Sequence, residues 1–427
     1  MENAKSFASA FLALAFLACT STSNSTSNSK VTLTGAWTTY HGDSARDGHP
    51  AASTLDATAA ARLRVAWRAR LAGAVDGTPA VASGLVITGS EGGDLEAFDA
   101  STGHAAWKVT GLGPISASPA VDGDRVLITT LEGHVRAFEL RSGHALWDWT
   151  AAGDHPAIWS SPAVIGNVVV VGAGSPYGDT PFEPGRMFGL DAASGRLLWS
   201  LCTRPGCTPG GGVWSTPSFD SAGVGYVGIG NPDDGVRAFD PTTGNVRWQV
   251  SLNADAGRDL DVGASPVVLS VAGHETLAVS SVSGLLTLLD AGTGGEMIWN
   301  DQLVDGSAVH GLLATPAFDG TRLYAASAGS PNGVFAVTPD DSNVWKHLTS
   351  LPVYTAPVVA HGVIAFGTGN VFGDLNAGTL TVLSAADGHQ LWSFDTRSAV
   401  RCSPAVVGNA IIAGDYAGDV FLFTPSA

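Results

Sequence analysis

The sequence predicts an all-β protein, an eight-bladed β-propeller of four-stranded antiparallel blades whose ring is closed by an N-terminal strand. Three observations carry this prediction. First, a Ser/Thr-Pro-Ala-Val-like strand opening recurs at Pro79, Pro119, Pro162, Pro217, Pro266, Pro316, Pro357 and Pro404, at intervals of 40, 43, 55, 49, 50, 41 and 47 residues. Each interval has room for four short strands and their turns. Second, Trp107, Trp147, Trp199, Trp248, Trp299, Trp345 and Trp392 close seven of the units. Third, the last unit lacks its tryptophan: after Pro404 two more strands, over 410–413 and 419–423, precede Ala427. The missing piece stands near the other end, where LRVAWRARL (63–71) places Trp67 twelve residues before Pro79, the interval that separates Trp107 from Pro119. That strand is expected to complete the eighth blade, which leaves few sheet edges exposed.

Taken in order, residues 1–19 read as an export signal. Lys5 precedes an apolar run from Phe7 to Ala18 that is too short to span a bilayer. The run ends in Phe16-Leu17-Ala18-Cys19, which resembles a bacterial lipoprotein cleavage box with Phe16 where Leu is usual. Cys19 is therefore either a lipid-anchor site or a chance cysteine. Residues 20–36 form a flexible Ser/Thr/Asn-rich tether, 37–61 a polar lead-in, and 62–427 the propeller. The turn between third and fourth strands repeats as FDASTGHAAW, LDAASGRLLW and FDPTTGNVRW. In it Asp99, Asp191, Asp240 and Asp290 are expected to bond their own turn amides, and glycines such as Gly103 and Gly143 supply backbone freedom. The longer proline intervals mark insertions in blades three to five: GSPYGDTPFEPGR, the 202–212 loop and NADAGRDLD. On a repeat scaffold, function usually concentrates where units are embellished.

Composition narrows the class. Lys+Arg 21 against Asp+Glu 38 gives a net charge of −17 with no basic run, which disfavours nucleic acid and anionic membrane as partners. The one membrane link expected is a lipid anchor at Cys19. Cys202 and Cys207 flank Thr-Arg-Pro-Gly and are expected to pair in an oxidising compartment; CxxxxC without a second pair is a poor zinc site. Cys402 reads as a small buried hydrophobe. No Cys-x-x-Cys-His run offers attachment to a c-type haem.

Of 12 tryptophans, Trp37, Trp149, Trp159 and Trp214 stand outside the repeat. Trp159 and Trp214 each lie three residues before a repeat proline, at the start of the innermost strand, and should face the mouth of the central channel. The equivalent positions are Asp76, Ser116, Gly263, Leu313, Tyr354 and Arg401. Asp261, five residues before Pro266, shares their strand parity. Flat aromatics beside carboxylates suit a planar, anionic, metal-assisted ligand, or else they plug the tunnel. Asp255, Asp259 and Asp261 form either a calcium site or a solvated acidic loop, and His310 is the histidine closest to a blade entrance.

The repeat resembles the quinoprotein propeller family over nearly the whole mature chain. That family includes pyrroloquinoline-quinone (PQQ)-dependent alcohol dehydrogenases, polyvinyl-alcohol-dehydrogenase-like proteins, and cofactor-free envelope scaffolds such as the outer-membrane assembly lipoprotein. The lead-in WTTYHGDSARDG, the blade-four run VWSTPSFDSAGVGYVGIGN and the blade-five run RDLDVGASPVV carry the resemblance. It implies Trp214 as the floor under a PQQ ring and Asn231 as a calcium ligand; Trp159 and Arg401 are expected as further cofactor contacts from their places on the channel-mouth ring, Arg401 as a substitute from another blade for a missing cation. It implies Asp261 as calcium ligand and general base for alcohol oxidation, and Glu183, more loosely, as a carboxylate ligand. One position departs from the family. Where the dehydrogenases carry Lys or Arg two residues before a blade-five glycine, SSVSGLLTLLD places Val282, which cannot stabilise an oxyanion. Two readings follow. The chain is an exported PQQ- and calcium-dependent alcohol dehydrogenase acting on a small-molecule alcohol, or a non-catalytic periplasmic or cell-surface propeller that binds an envelope protein partner.

Overall fold

The computed structural model describes residues 31–253, 259–271 and 273–426. The export signal, Cys19, the first part of the tether and Asp255 lie outside the described residues. Eight four-stranded antiparallel sheets are present, seven of them built from consecutive strands. The eighth pairs the strand Leu63–Arg70 with Asp419–Pro425, with Leu63 opposite Pro425 and Arg70 opposite Asp419. The expected closure is thus observed, and Arg68 and Arg70 both reach the buried carboxylate of Asp419 across it.

Burial follows strand position. Second and third strands lie between neighbouring blades and are covered on both faces, so Val168–Ala173 (VVVVGA) is buried throughout. Fourth strands stand at the rim, where blades diverge, and alternate instead, as in Val246–Ser251.

Two features of the repeat join blade to blade. The indole N–H of Trp67 donates to Ala100 O at 2.9 Å and that of Trp107 to Leu140 O at 2.9 Å, and five further repeat tryptophans do the same to the next blade. The turn glycines face these rings. A Cβ on Gly143 would lie 2.6 Å from Trp107, so the glycine serves close approach as well as its φ of +69°. The residue before each repeat proline makes the second link. Ser118 N–H donates to Ser161 Oγ (2.9 Å), Ser161 N–H to Thr216 Oγ1 (3.0 Å), Thr216 N–H to Ser265 Oγ (2.9 Å) and Ser265 N–H to Thr315 Oγ1 (3.0 Å). These hydroxyls form an arc around the axis that is interrupted at Ala356, which has no hydroxyl to accept but donates its own N–H to Ser403 Oγ (2.9 Å).

The lead-in does more than precede the propeller. Its carbonyls accept the N–H of Val121 at Thr38, Phe219 at Ser44, Val268 at Ala45, Phe318 at Asp47 and Val359 at Gly48. Trp37 exchanges both backbone bonds with Val81. Residues 37–48 therefore cross one end of the axis and bind the innermost strands of six blades. Arg46, 1% exposed, sits within this segment and donates to Pro217 O, Thr39 Oγ1, Tyr40 O and Asp43 O. Burial lowers its pKa to about 10. The described residues contain no helix long and apolar enough to cross a membrane.

Candidate functional site

The axis opens at the other end into a cavity of about 340 Å³. All eight positions singled out from the sequence line it: Asp76, Ser116, Trp159, Trp214, Gly263, Leu313, Tyr354 and Arg401. They do so because each lies four residues before the innermost strand of its blade, in the segment that leads into it, and eight such entries converge only around an axis. Tyr40 of the lead-in also lines the cavity and donates through its hydroxyl to Thr315 Oγ1 (3.0 Å).

A smaller niche adjoins the cavity, lined by Ser175, Asp179, Phe182, Gly212, Trp214, Asn231 and Asp261. Ser175, Asp179 and Trp214 border both spaces, so the indole of Trp214 stands between them. Its N–H is buried without a partner and faces Gly174 and Gly212, on which a Cβ would come within 3.1 and 3.0 Å of that nitrogen. The Gly-Ile-Gly-Asn run explains how the blade-five segment reaches the niche. A Cβ on Gly228 would lie 2.2 Å from Val262 O, and one on Gly230 2.5 Å from Asp261 Oδ1. Only glycine at both positions lets residues 261–262 lie against the strand Gly225–Ile229, and it leaves the Asn231 N–H donating to Asp261 Oδ1.

Carboxylates crowd this sector. Asp261, 2% exposed, is pushed up to about 8 by burial, opposed by the Asn231 N–H and reinforced by Asp259, Asp234 and Asp179. Asp234 is raised to about 7 by burial and by Asp259 and Asp233, and both its oxygens are buried without a donor. Negative charge gathered this way, short of cationic neighbours, is what a bound cation relieves. Among the described residues no three His, Cys, Asp or Glu side chains converge as a metal shell, so the donor set here is Asp261 with Asn231 and the niche oxygens of Asp179 and Ser175.

Other expected residues fall elsewhere. Glu183 is half-buried with its backbone N–H bonded to Ser175 Oγ (3.0 Å), and it lines neither space; Asp179, from the same insertion, occupies the place expected of it. Asp259, passed over in sequence as one of a solvated trio, lines the cavity, whereas Asp261 lines the niche. Their identical parity hid the difference, because the segment is not a regular strand. His310 opens on a separate surface cavity with Asp305 and Asn332. Cys202 and Cys207 are bonded, and Cys402 is buried, its thiol pushed up to about 12 by burial.

The far wall carries the one cation among the described residues of the cavity lining. Arg401 Nη1 lies 3.4 Å from Asp76 Oδ2, with the arginine side chain 30% exposed and the aspartate 3%. Burial pushes Asp76 up to about 7, Arg401 opposes this, and the Glu91 carboxyl adds to it. Burial alone would lower the Arg401 pKa, but Asp76, Tyr416 and Tyr177 outweigh it and hold the guanidinium charged. Val282, 2% exposed, lines the cavity as the sequence implies and donates its backbone N–H to Asp261 O (3.1 Å).

A ring of eight blades around an axial cavity, with a tryptophan between that cavity and a carboxylate-amide niche, defines a propeller of the quinoprotein type. The chain belongs to the PQQ-repeat propeller family: the family model described as outer membrane protein assembly factor BamB matches residues 51–205, 149–315 and 294–427. Among curated proteins it is similar to the polyvinylalcohol dehydrogenase of a Pseudomonas species, 27% identical over 269 residues, covering 50% of this chain and 42% of that one. It is also similar to outer membrane protein assembly factor BamB of Bordetella pertussis, 29% identical over 212 residues, covering 48% and 49%. The matches thus span less than half the length of these relatives. The solved structure of quinohemoprotein alcohol dehydrogenase from Comamonas testosteroni superposes with a TM-score of 0.76 over 91% of this chain and 80% of that one, at 16% identity, and shares the fold.

Proposed function

We propose that the protein is an exported propeller that holds PQQ in its axial cavity beside a divalent cation such as calcium, and that it oxidises an alcohol. The observation that supports this most directly is Trp214, which borders both the cavity and the niche of Asp261 and Asn231. A planar ring resting against that indole would lie next to the cation donors. Arg401 and Trp159 are the remaining contacts for an anionic, flat ligand. When bound, the quinone supplies a two-electron acceptor and the cation a Lewis acid. The chain's own contribution divides between two carboxylates. Asp261, enclosed in the niche and held by the Asn231 amide, holds the cation, while Asp259, open to the cavity, takes the alcohol proton. Tyr40, with the lead-in behind it, closes the far end and keeps bulk water from entering along the axis.

The test is reconstitution. Protein incubated with calcium and PQQ is expected to retain quinone absorbance through gel filtration, and Trp214→Ala to lose it. Asp259→Asn should keep the quinone yet lose dye-linked alcohol oxidation by roughly 10²-fold or more. No quinone eluting with the wild-type protein would end this reading.

A second reading rests on Val282. An apolar side chain on the cavity wall offers no donor where the dehydrogenases carry a cation, a loss that costs about 10²–10³-fold in rate. A protein that retains no quinone, and gains neither quinone nor turnover on Val282→Lys, would favour a binding propeller of the envelope-scaffold type.

A further inference from the structure

The lining of the cavity does not end at Trp159, Trp214 and Arg401; it continues into a collar of exposed apolar side chains. Tyr177 (52% exposed) and Phe182 (44%) stand on the blade-three insertion, Phe372 (49%) and Leu375 (40%) on the loop between strands Val363–Gly369 and Gly378–Ser384 of blade seven, and Val309 (37%) on the loop into blade six. Tyr177, Val309 and Phe372 line the cavity itself, and Phe182 lines the adjoining niche. Every exposed large aromatic among the described residues belongs to this collar; the other exposed large apolar side chains sit one or two to a blade on fourth strands at the outer rim. Blades three and seven are four apart in a ring of eight, so these two loops face each other across the axis.

The collar is fixed in place. The Tyr177 hydroxyl donates to Glu91 Oε1 (2.9 Å), which also accepts from Ser116 Oγ (2.8 Å), and the Tyr177 ring stands edge-on to Trp159 with centroids 4.4 Å apart. Phe372 packs edge-on against Tyr354 (5.5 Å), whose hydroxyl donates to Val309 O (3.3 Å). Aromatic rings held exposed by hydrogen bonds and edge contacts have no core to enter, and a concentrated apolar rim of this kind marks a ligand surface.

We infer that this collar is a subsite for the apolar tail of the substrate, so that the protein takes alcohols bearing an alkyl or aryl chain of several carbons in preference to the smallest ones. The inference rests on the reading that an alcohol reaches the cavity. Its occupant is the tail of the molecule whose hydroxyl enters below, because the collar is continuous with the cavity lining. Burying a methylene strengthens binding about fourfold, and a half-exposed collar should realise about two- to fourfold.

The experiment measures binding of the straight-chain primary alcohols from 1-propanol to 1-octanol, by calorimetry and by tryptophan fluorescence, with and without added PQQ. Affinity is expected to climb about two- to fourfold per methylene and then level off. Phe372→Ala and Val309→Ser should flatten the climb, whereas Leu146→Ser, which removes an exposed leucine at the outer rim, should not. A wild-type series independent of chain length would overturn the inference, as would a climb that survives both collar substitutions. Because the readout is binding, a protein that retains no quinone would still show the climb, and loss of the cofactor reading is separable from loss of this one.

Discussion

Single side chains decide the chemistry proposed for this cavity, and Asp261 shows how. Its native pKa of about 8 lies above its ordinary 3.8, so the folded state holds the proton more tightly than the unfolded one. The stability this gives is fullest below pH ~4 and is lost as pH rises toward 8, and Asp234 adds the same sign up to about 7. In chelator, the thermal midpoint is therefore expected to fall between pH 5 and 8, and Asp261→Asn to reduce that fall. Calcium should raise the midpoint more at pH 8 than at pH 5, since the cation competes with the proton. Equal calcium shifts at both pH values would remove Asp261 from the cation site.

Elements owe their arrangement to links that repeat. Gly143 and Gly123 both have left-handed φ values, +69° and +58°, but only Gly143 faces an indole, with a Cβ placed 2.6 Å from Trp107; Gly123 has nothing within 4 Å. Gly123→Ala should therefore cost about 1 kcal/mol of backbone strain, and Gly143→Ala a further 1–3 kcal/mol from overpacking. Denaturant midpoints at unchanged slope measure the difference. If the two variants are equally stable, the glycine serves the turn alone and not the joint between blades. Ser161→Ala tests the second link: it removes the acceptor of the Ser118 N–H and should cost about 1 kcal/mol.

The whole molecule depends on its closure, where residues 349 to 362 apart in sequence pair strand to strand. Trp67 anchors that seam, 8% exposed and bonded to Ala100 O in blade one. Trp67→Ala is expected to cost about 3–5 kcal/mol and to speed hydrogen exchange first in blades eight and one. Uniform exchange across all blades would mean that the ring has no special seam there. The lead-in ties six blades at one end of the axis through backbone bonds.

The sequence by itself determined the number of blades, their order, the completion of the last blade by the Trp67 strand, and the eight positions that line the mouth. It could do so because proline and tryptophan recur at fixed places, and a periodic signal survives without knowledge of the fold. What only the tertiary structure decided has no such period. The lead-in binds through main-chain carbonyls, which any residue supplies, so WTTYHGDSARDG says nothing of the blades it touches. Asp259 and Asp261 share parity yet border different spaces, because an irregular segment is positioned by the glycines of another blade. Glu183 and Asp179 likewise traded places within one insertion, and the apolar collar became visible only once blades three and seven stood opposite each other. Contacts between elements far apart in sequence are fixed by how the ring packs, and no local pattern encodes them.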